Sequence, residues 1–336
     1  MESKKICAAT GGDRYVPANE RAGERSVVYF TRDISAEGLI RIFRKVGSVL
    51  QGKVAVKVHT GEKHGPNILP RSFVKALMES EIKDGTIIET NTYYDGDRYT
   101  TEKHRETLEV NGWNFCDVDI IDAEGTAMLP VRGGKWYEEM SVGKGLTAYD
   151  SLLALTHFKG HTTGGFGGSN KNIGIGCADG RVGKGMIHAD PVTGYMWAMQ
   201  KEEFMERMTE STKACLDFFG GRAAFINVMR NMSVSCDCEG VEAMPVVTPN
   251  VGIVASLDLL AADQACVDMI YAMKEADSAA LRERIESRHG LRQLSYMKEL
   301  GMGNDLYTLI DIDCGREISL ADAVKELAPF ADDGLR

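Results

Sequence analysis

At 336 residues the chain is long enough for two domains and for a large core without disulfide or structural-metal support. Apolar residues make up 43% and charged residues 26%, as in folded globular proteins, and a formal charge of −10 argues against nucleic acid as the partner. No apolar run approaches the roughly 18–20 residues of a spanning helix, and "MESKKICAATGGDRYV" lacks the apolar core of a secretion signal, so a cytoplasmic protein without membrane contact is expected.

"SAEGLIRIFRKVGSVL" reads as a helix opened by Ser35. Next comes the short β-branched strand "KVAVKVH" (53–59), then "PRSFVKALMESEIK", whose Phe73, Leu77 and Ile82 fall at helical spacing. "TIIET" (86–90) is a strand, "TTEKHRETLEVNG" a helix stopped by Gly112, and "VDIID" (118–122) a strand again. Strands separated by ten to fifteen helical residues predict parallel βαβ units. "GGKWYEEMSVGKG" breaks the alternation, so lobes of 1–140 and 141–336 around a cleft are expected.

"SLLALTHF" is a strand that delivers the chain into a glycine-rich run. Residues 201–218 form a helix with Phe204, Met208, Cys215 and Phe218 on one stripe. "AAFINVMRNM" and "VGIVAS" read as strands, and Asp258 caps the helix "LLAADQACVDMIYAM". A helix near 291–300, the strand "YTLIDI" and a helix at 319–328 complete a mostly parallel α/β fold with flanking helices.

Three regions carry candidate chemistry. "HFKGHTTGGFGGSNKNIGIGCADGRVGKGMIH" (157–188) has ten glycines between Gly160 and Gly185. Glycines allow backbone N–H groups close to an anion, so Gly167, Gly168, Lys171, Asn172 and Lys184 are candidate contacts for an anionic, nucleotide-like cofactor. Neither G-x-G-x-x-G nor G-x-x-x-x-G-K-[ST] is complete here. His161 and His188 flank this run and are candidates to ligate or to move protons; His104 and His289 receive no role.

"CDC" places Cys236 and Cys238 two apart, on one side of an extended chain. Two thiolates suit zinc, copper or an iron–sulfur cluster, with Cys177 the best third ligand and a histidine or Asp237 the fourth. Cys7, Cys215, Cys266 and Cys314 read as packing residues. "HTGEKHG" and "ETNTYYDGDRYTTEKH" each follow a strand, which offers Lys57, His59, Glu62, Asn91, Tyr94 and Arg98 as substrate contacts. Arg98 suits a carboxylate or phosphate.

"VAVKVHTGE", "ETNTYYDGDR", the glycine-rich run, "CDC" and "GIVASLDLLAADQA" fall in the order found in the uncharacterised "Fe–S center protein" family, domain of unknown function 362, which this chain resembles over nearly its whole length. Many members of that family carry a ferredoxin-like insertion shortly after the position of His188, where this chain has "PVTGYMWAMQKEEF" without a cysteine. A more distant likeness is to the lactate racemase family, in which a lysine and a later histidine engage a nickel-pincer nucleotide and a preceding histidine acts as acid or base. Lys171, His188 and His161 hold similar relative places. The expectation is a protein binding a metal ion, iron–sulfur cluster or metal-containing cofactor, with a small anionic molecule as ligand or substrate. The alternative is a non-enzymatic iron–sulfur or metal-handling module serving a redox partner protein.

Overall fold

Residues 12–330 are described by the computed structural model of the chain; Cys7 lies outside them. β1 (Arg25–Thr31) leads to α1 (Ala36–Val46), β2 (Val54–Lys57), α2 (Arg71–Glu81), β3 (Thr86–Glu89), α3 (Thr101–Val110) and β4 (Val118–Ile120). β5 (Thr126–Pro130) and β6 (Glu139–Gly143) pair with each other, and β7 (Ser151–His157) returns to the main sheet. The glycine-rich run then forms β8 (Lys159–His161), β9 (Gly165–Gly167), α4 (Ser169–Gly176) and α5 (Gly183–His188). Beyond it lie α6 (Lys201–Phe219), β10 (Ala223–Met229), β11 (Gly252–Ser256), α7 (Leu259–Ala272), α8 (Glu275–Ser287), α9 (Arg292–Glu299), β12 (Leu306–Asp311), β13 (Arg316–Glu317) and α10 (Leu320–Ala323).

Local chemistry sets several of these boundaries. The Ser35 hydroxyl accepts the Gly38 N–H at 3.1 Å, and Asp258 accepts the Ala261 N–H at 2.9 Å, so both helices begin where a side-chain oxygen replaces a missing carbonyl. α6 ends at Gly220, whose left-handed φ of 58° closes the last turn. The helix expected at 319–328 is shorter, Leu320–Ala323.

Nine strands form one sheet in the order β13-β12-β1-β11-β10-β7-β2-β3-β4. β11 and β13 run against their neighbours and the rest share one direction, as a mostly parallel α/β fold requires. The boundary expected near residue 140 does not divide this sheet. β2 pairs directly with β7, Ala55 opposite Leu152, so strands from both expected lobes are continuous. What breaks the sequence pattern there is the β5–β6 hairpin, whose connection is held by Glu210. That carboxylate accepts the backbone N–H groups of Lys135, Trp136 and Tyr137.

Alternate strand residues feed two cores. Val54, Val56, Ile87, Leu153 and Leu155 join α1 and α2 on one face. Ala55, Ile88, Leu152 and Ala154 join α4, α6 and α7 on the other. Continuous burial of β2 and β7 explains their unbroken apolar runs. From β2 the chain builds outward through β3 and β4, whereas from β7 it builds the other way through β10. The crevice between β2 and β7 is therefore a topological switch point, where open α/β sheets bind ligands beyond the carboxyl ends of their strands. No described helix is long and apolar enough to cross a membrane.

Candidate functional site

A pocket of about 190 Å³ opens at that switch point. The ends of β2 and β3 supply one wall. Lys57, the last residue of β2, is buried and donates to Glu89 at 2.8 Å. The other Glu89 oxygen accepts the Thr60 N–H and hydroxyl at 2.8 and 3.0 Å, with the Arg98 guanidinium 3.7 Å away. Burial pushes the Glu89 carboxyl up, but the Lys57 ammonium, His59 and Arg98 outweigh it and hold it well below the usual range. Arg98 donates to Glu62 at 3.0 and 2.8 Å, and the Tyr94 hydroxyl donates to the same oxygen at 2.5 Å.

His59, Tyr94 and Arg98 thus line the pocket opposite the glycine-rich run. Glu62 meets the pocket through Arg98 and Tyr94. Asn91 lies outside the lining. Its side chain bonds Thr101 at 3.1 Å and His104 at 3.3 Å, bracing the start of α3.

The glycine-rich run forms the opposite wall, and it is a hairpin followed by two short helices, not an open phosphate nest. A Cβ on Gly174 would strike the Met208 carbonyl oxygen, and one on Gly176 would strike Lys57. These glycines let α4 pack closely against α6 and β2. The first backbone N–H groups of α4, from Ser169 and Asn170, are taken by Asp263 at 2.8 and 2.9 Å. Burial raises that carboxyl to about 6. Gly167 and Gly168 still line the pocket, and Asn172 ties the strand ends by donating to the Lys57 carbonyl and the Thr156 hydroxyl.

Lys171, Lys184 and His188 all line the pocket and are all about nine-tenths buried. Lys171 Nζ lies 3.8 Å from Cys236 Sγ. Lys184 Nζ donates to the Thr90 hydroxyl at 2.7 Å and to the Asn91 carbonyl, and burial lowers its pKa to about 8. Neither ammonium has a carboxylate within ion-pair distance among the described residues. His188 packs its ring against Trp197 and Phe204 at 5.1 and 5.0 Å and has a buried Nδ1 without a hydrogen-bond partner. Burial lowers its pKa to about 3, so it is neutral.

The third element is the segment after β10. Asp237 points away from the pocket: its carboxylate meets His157 Nδ1 at 2.8 Å and Lys159 Nζ at 3.0 Å, and His157 Nε2 donates to the Arg230 carbonyl at 2.6 Å. Asp237 is therefore an anchor and not a fourth metal ligand. Pinning it leaves Cys236 and Cys238 facing together the other way. His161, Cys236 and Cys238 have donor atoms within 4.8 Å of one another, and His59 Nε2 lies 3.9 Å from Cys236 Sγ. Burial raises the Cys236 thiol, but the Cys238 thiol, Lys171 and His161 together bring it well below the ordinary value. Cys238 is raised by that same sulfur and by burial. The pair therefore titrates as a unit, its first proton held below the ordinary thiol range and its second above it.

Cys177 does not join them. It caps α4 and is fully buried in the core beside Cys215, whose thiol its presence raises. Cys266 is also buried, whereas Cys314, expected to pack, is exposed. Glu89, His157, Lys159 and Tyr93, which lie within the quoted motifs, and Trp197 are further site residues that the sequence did not single out. For Glu89 the strand-end position was the available signal; for Trp197, on the segment before α6, there was none.

The family described as a domain of unknown function (DUF362) matches residues 54–268, which hold both walls and the thiol pair. No curated protein matches the chain. Among solved structures, the lactate racemase apoprotein from Thermoanaerobacterium thermosaccharolyticum is similar at 11% identity, with a TM-score of 0.39, over 92% of this chain and 87% of its own. A protein from Thermotoga maritima is similar at 15% identity, with a TM-score of 0.37, over 57% of this chain and 49% of its own.

Proposed function

The chain belongs to the DUF362 family, a domain of unknown function, and within it we propose that this protein binds a small anionic molecule in the switch-point pocket, beside a soft metal ion held by Cys236 and Cys238. The observation that carries this reading is the juxtaposition of two buried ammonium groups lacking carboxylates, Lys171 and Lys184, with two convergent thiols. Neither ammonium has a carboxylate in ion-pair reach among the described residues: Lys171 has the Cys236 sulfur and Lys184 a hydroxyl and a carbonyl. With a metal sharing that sulfur's charge, an anion in the pocket would supply the negative partner that buried ammonium groups need. Thiol sulfurs, one of them favoured as thiolate, suit zinc or copper(I). An iron–sulfur cluster is held by four thiolates, or by two thiolates and two histidines. This site brings two thiols, and the His161 Nδ1 is already taken by the Gly164 N–H, so a single ion fits the donor set better.

When bound, the metal would supply a Lewis acid or redox centre at the edge of the anion site. The chain's own groups do the rest. Lys171 and Lys184 orient the anion, Arg98, paired with Glu62 and Glu89, fixes the facing wall, and Tyr93 and Trp197 screen the pocket from water. His188, neutral and with its buried Nδ1 unbonded, is the histidine placed to take a proton once an anion offsets the Lys171 and Lys184 charges that, with burial, hold its pKa down.

The test is a thermal-shift series with inorganic phosphate, oxalate and malonate on metal-loaded and metal-free protein. A ligand that binds only the native state raises Tm. A rise with at least one anion that is lost in Lys171→Met supports the reading; no shift with any of them contradicts it.

A further inference from the structure

His161 is one of three residues whose donor atoms converge, yet its ring is turned the wrong way for a ligand. Nδ1 accepts the Gly164 backbone N–H at 2.8 Å and the Thr163 N–H at 3.2 Å. An N–H group only donates, so Nδ1 carries a lone pair and no proton. The same contacts exclude a doubly protonated ring, because an Nδ1–H would point at two other hydrogens. The ring hydrogen is therefore on Nε2, and with Nδ1 turned to the backbone, Nε2–H is the group left to face the thiol pair, whose sulfurs lie within 4.8 Å of the ring's donor atom.

Histidines that ligate metals run the other way. They give one nitrogen's lone pair to the ion and donate the other N–H to a carboxylate, carbonyl or water. Turning His161 over would strand the buried Gly164 N–H and the half-buried Thr163 N–H in a turn that is itself fixed. Gln293 Nε2 donates to the carbonyls of Gly164 and Phe166 at 2.8 and 3.0 Å, locking the β8–β9 hairpin. A Cβ on Gly164 would sit 3.2 Å from His161 Nδ1, so glycine at this position is what lets the backbone close on the ring.

We propose that His161 stays outside the metal's coordination shell and donates its Nε2–H to the Cys236 sulfur, so that the metal rests on Cys236 and Cys238 and not on His161. Lys171, 3.8 Å from the same sulfur, is a second donor. Donors to a ligating sulfur draw off its charge and are one of the protein's levers on a metal's potential. His161 is then a positioning residue that tunes one thiolate of the pair and leaves the metal open to a ligand from the pocket, which Cys238 lines.

This inference rests on the metal reading above, so its test includes a readout that needs no metal. In 15N-labelled, metal-free protein at neutral pH, long-range 1H–15N spectra assigned with His161→Gln should place the His161 proton on Nε2; a proton on Nδ1 overturns the proposal. In cobalt(II)-loaded protein, His161→Gln should keep one equivalent of cobalt and the sulfur-to-cobalt charge-transfer intensity, because glutamine also donates. His161→Leu should keep the spectrum with an affinity lowered about 10–100-fold, the usual effect of losing an outer-shell partner. A shift of the cobalt d–d bands in both variants, or 113Cd–15N coupling to His161 in cadmium-loaded protein, would make it a ligand and overturn the proposal. If the wild type binds neither cobalt nor cadmium, the metal reading fails, and the proton position still decides whether His161 is the donor to Cys236.

Discussion

On the β2–β3 side of the pocket the buried cations have carboxylates: Lys57 meets Glu89, and Arg98 meets Glu62 and Glu89. Across the pocket, on α4 and α5, Lys171 faces a sulfur and Lys184 faces a hydroxyl and a carbonyl. Both walls are equally dry, so the difference lies in pairing. The first wall is complete as it stands and fixes the strand ends. The second holds positive charge without a carboxylate in ion-pair reach among the described residues, and burial, aided by Arg98 and Lys57 against Asp122 and Glu89, pulls Lys184 down to about 8. The paired wall reads as scaffold, the unpaired wall as the place where a ligand's charge enters.

The largest expected effect tests the scaffold. Glu89→Gln leaves Lys57 and Arg98 buried without their shared carboxylate, which should cost about 3–5 kcal/mol in urea unfolding. Lys184→Met removes a charge that has no carboxylate and should cost less than about 1 kcal/mol, or stabilise the fold. If the two substitutions destabilise equally, the walls do not differ in the way their pairing indicates. A smaller effect concerns binding. Lys171→Met should weaken the most effective anion of the thermal-shift series by about 1.5–3 kcal/mol, the range for a hydrogen bond to a charged group, with unfolding in the absence of anion nearly unchanged.

A further effect is a pH dependence. The unfolded chain keeps the Lys184 proton up to about 10.4, whereas the folded protein releases it from about 8. Between these values the unfolded state binds more protons, so this lysine's destabilising contribution fades as pH rises. Wild type should therefore gain stability relative to Lys184→Met between pH 8 and 10. Anion affinity should move the opposite way, falling as pH rises through about 8. An anion affinity that is flat across this range would remove Lys184 from the binding wall.

Much of the fold was legible because its signals are local. Ser35 and Asp258 cap helices through their own side chains, and the βαβ alternation from β2 to β4 shows in runs of apolar residues. α8 shows no such pattern, since only Ser278, Leu281 and Ile285 of its thirteen residues are buried. α4 and α5 were hidden for a different reason. Their glycines oppose helix formation in isolation, and only tertiary packing against Met208, Lys57 and Ser141 explains them. In the site, the strand-end loops carry His59 and Arg98, and the short helices α4 and α5 carry Lys171 and His188 to the same pocket. Spacing misplaced Cys177 and Asp237, because which side a side chain takes is decided by partners far off in sequence: Cys215 for one, His157 and Lys159 for the other.

The most direct test of the thiol pair is a cobalt(II) titration of the wild type and of the Cys236→Ser/Cys238→Ser double variant, followed by absorbance in the sulfur-to-metal charge-transfer region. Neither cysteine takes part in the carboxylate pairing that fixes the strand ends, so the double variant should fold. The expected result is one equivalent bound per wild-type chain with a charge-transfer band, and binding far below one equivalent without that band in the variant. Equal cobalt content and equal spectra in the two proteins would contradict a metal site at Cys236 and Cys238.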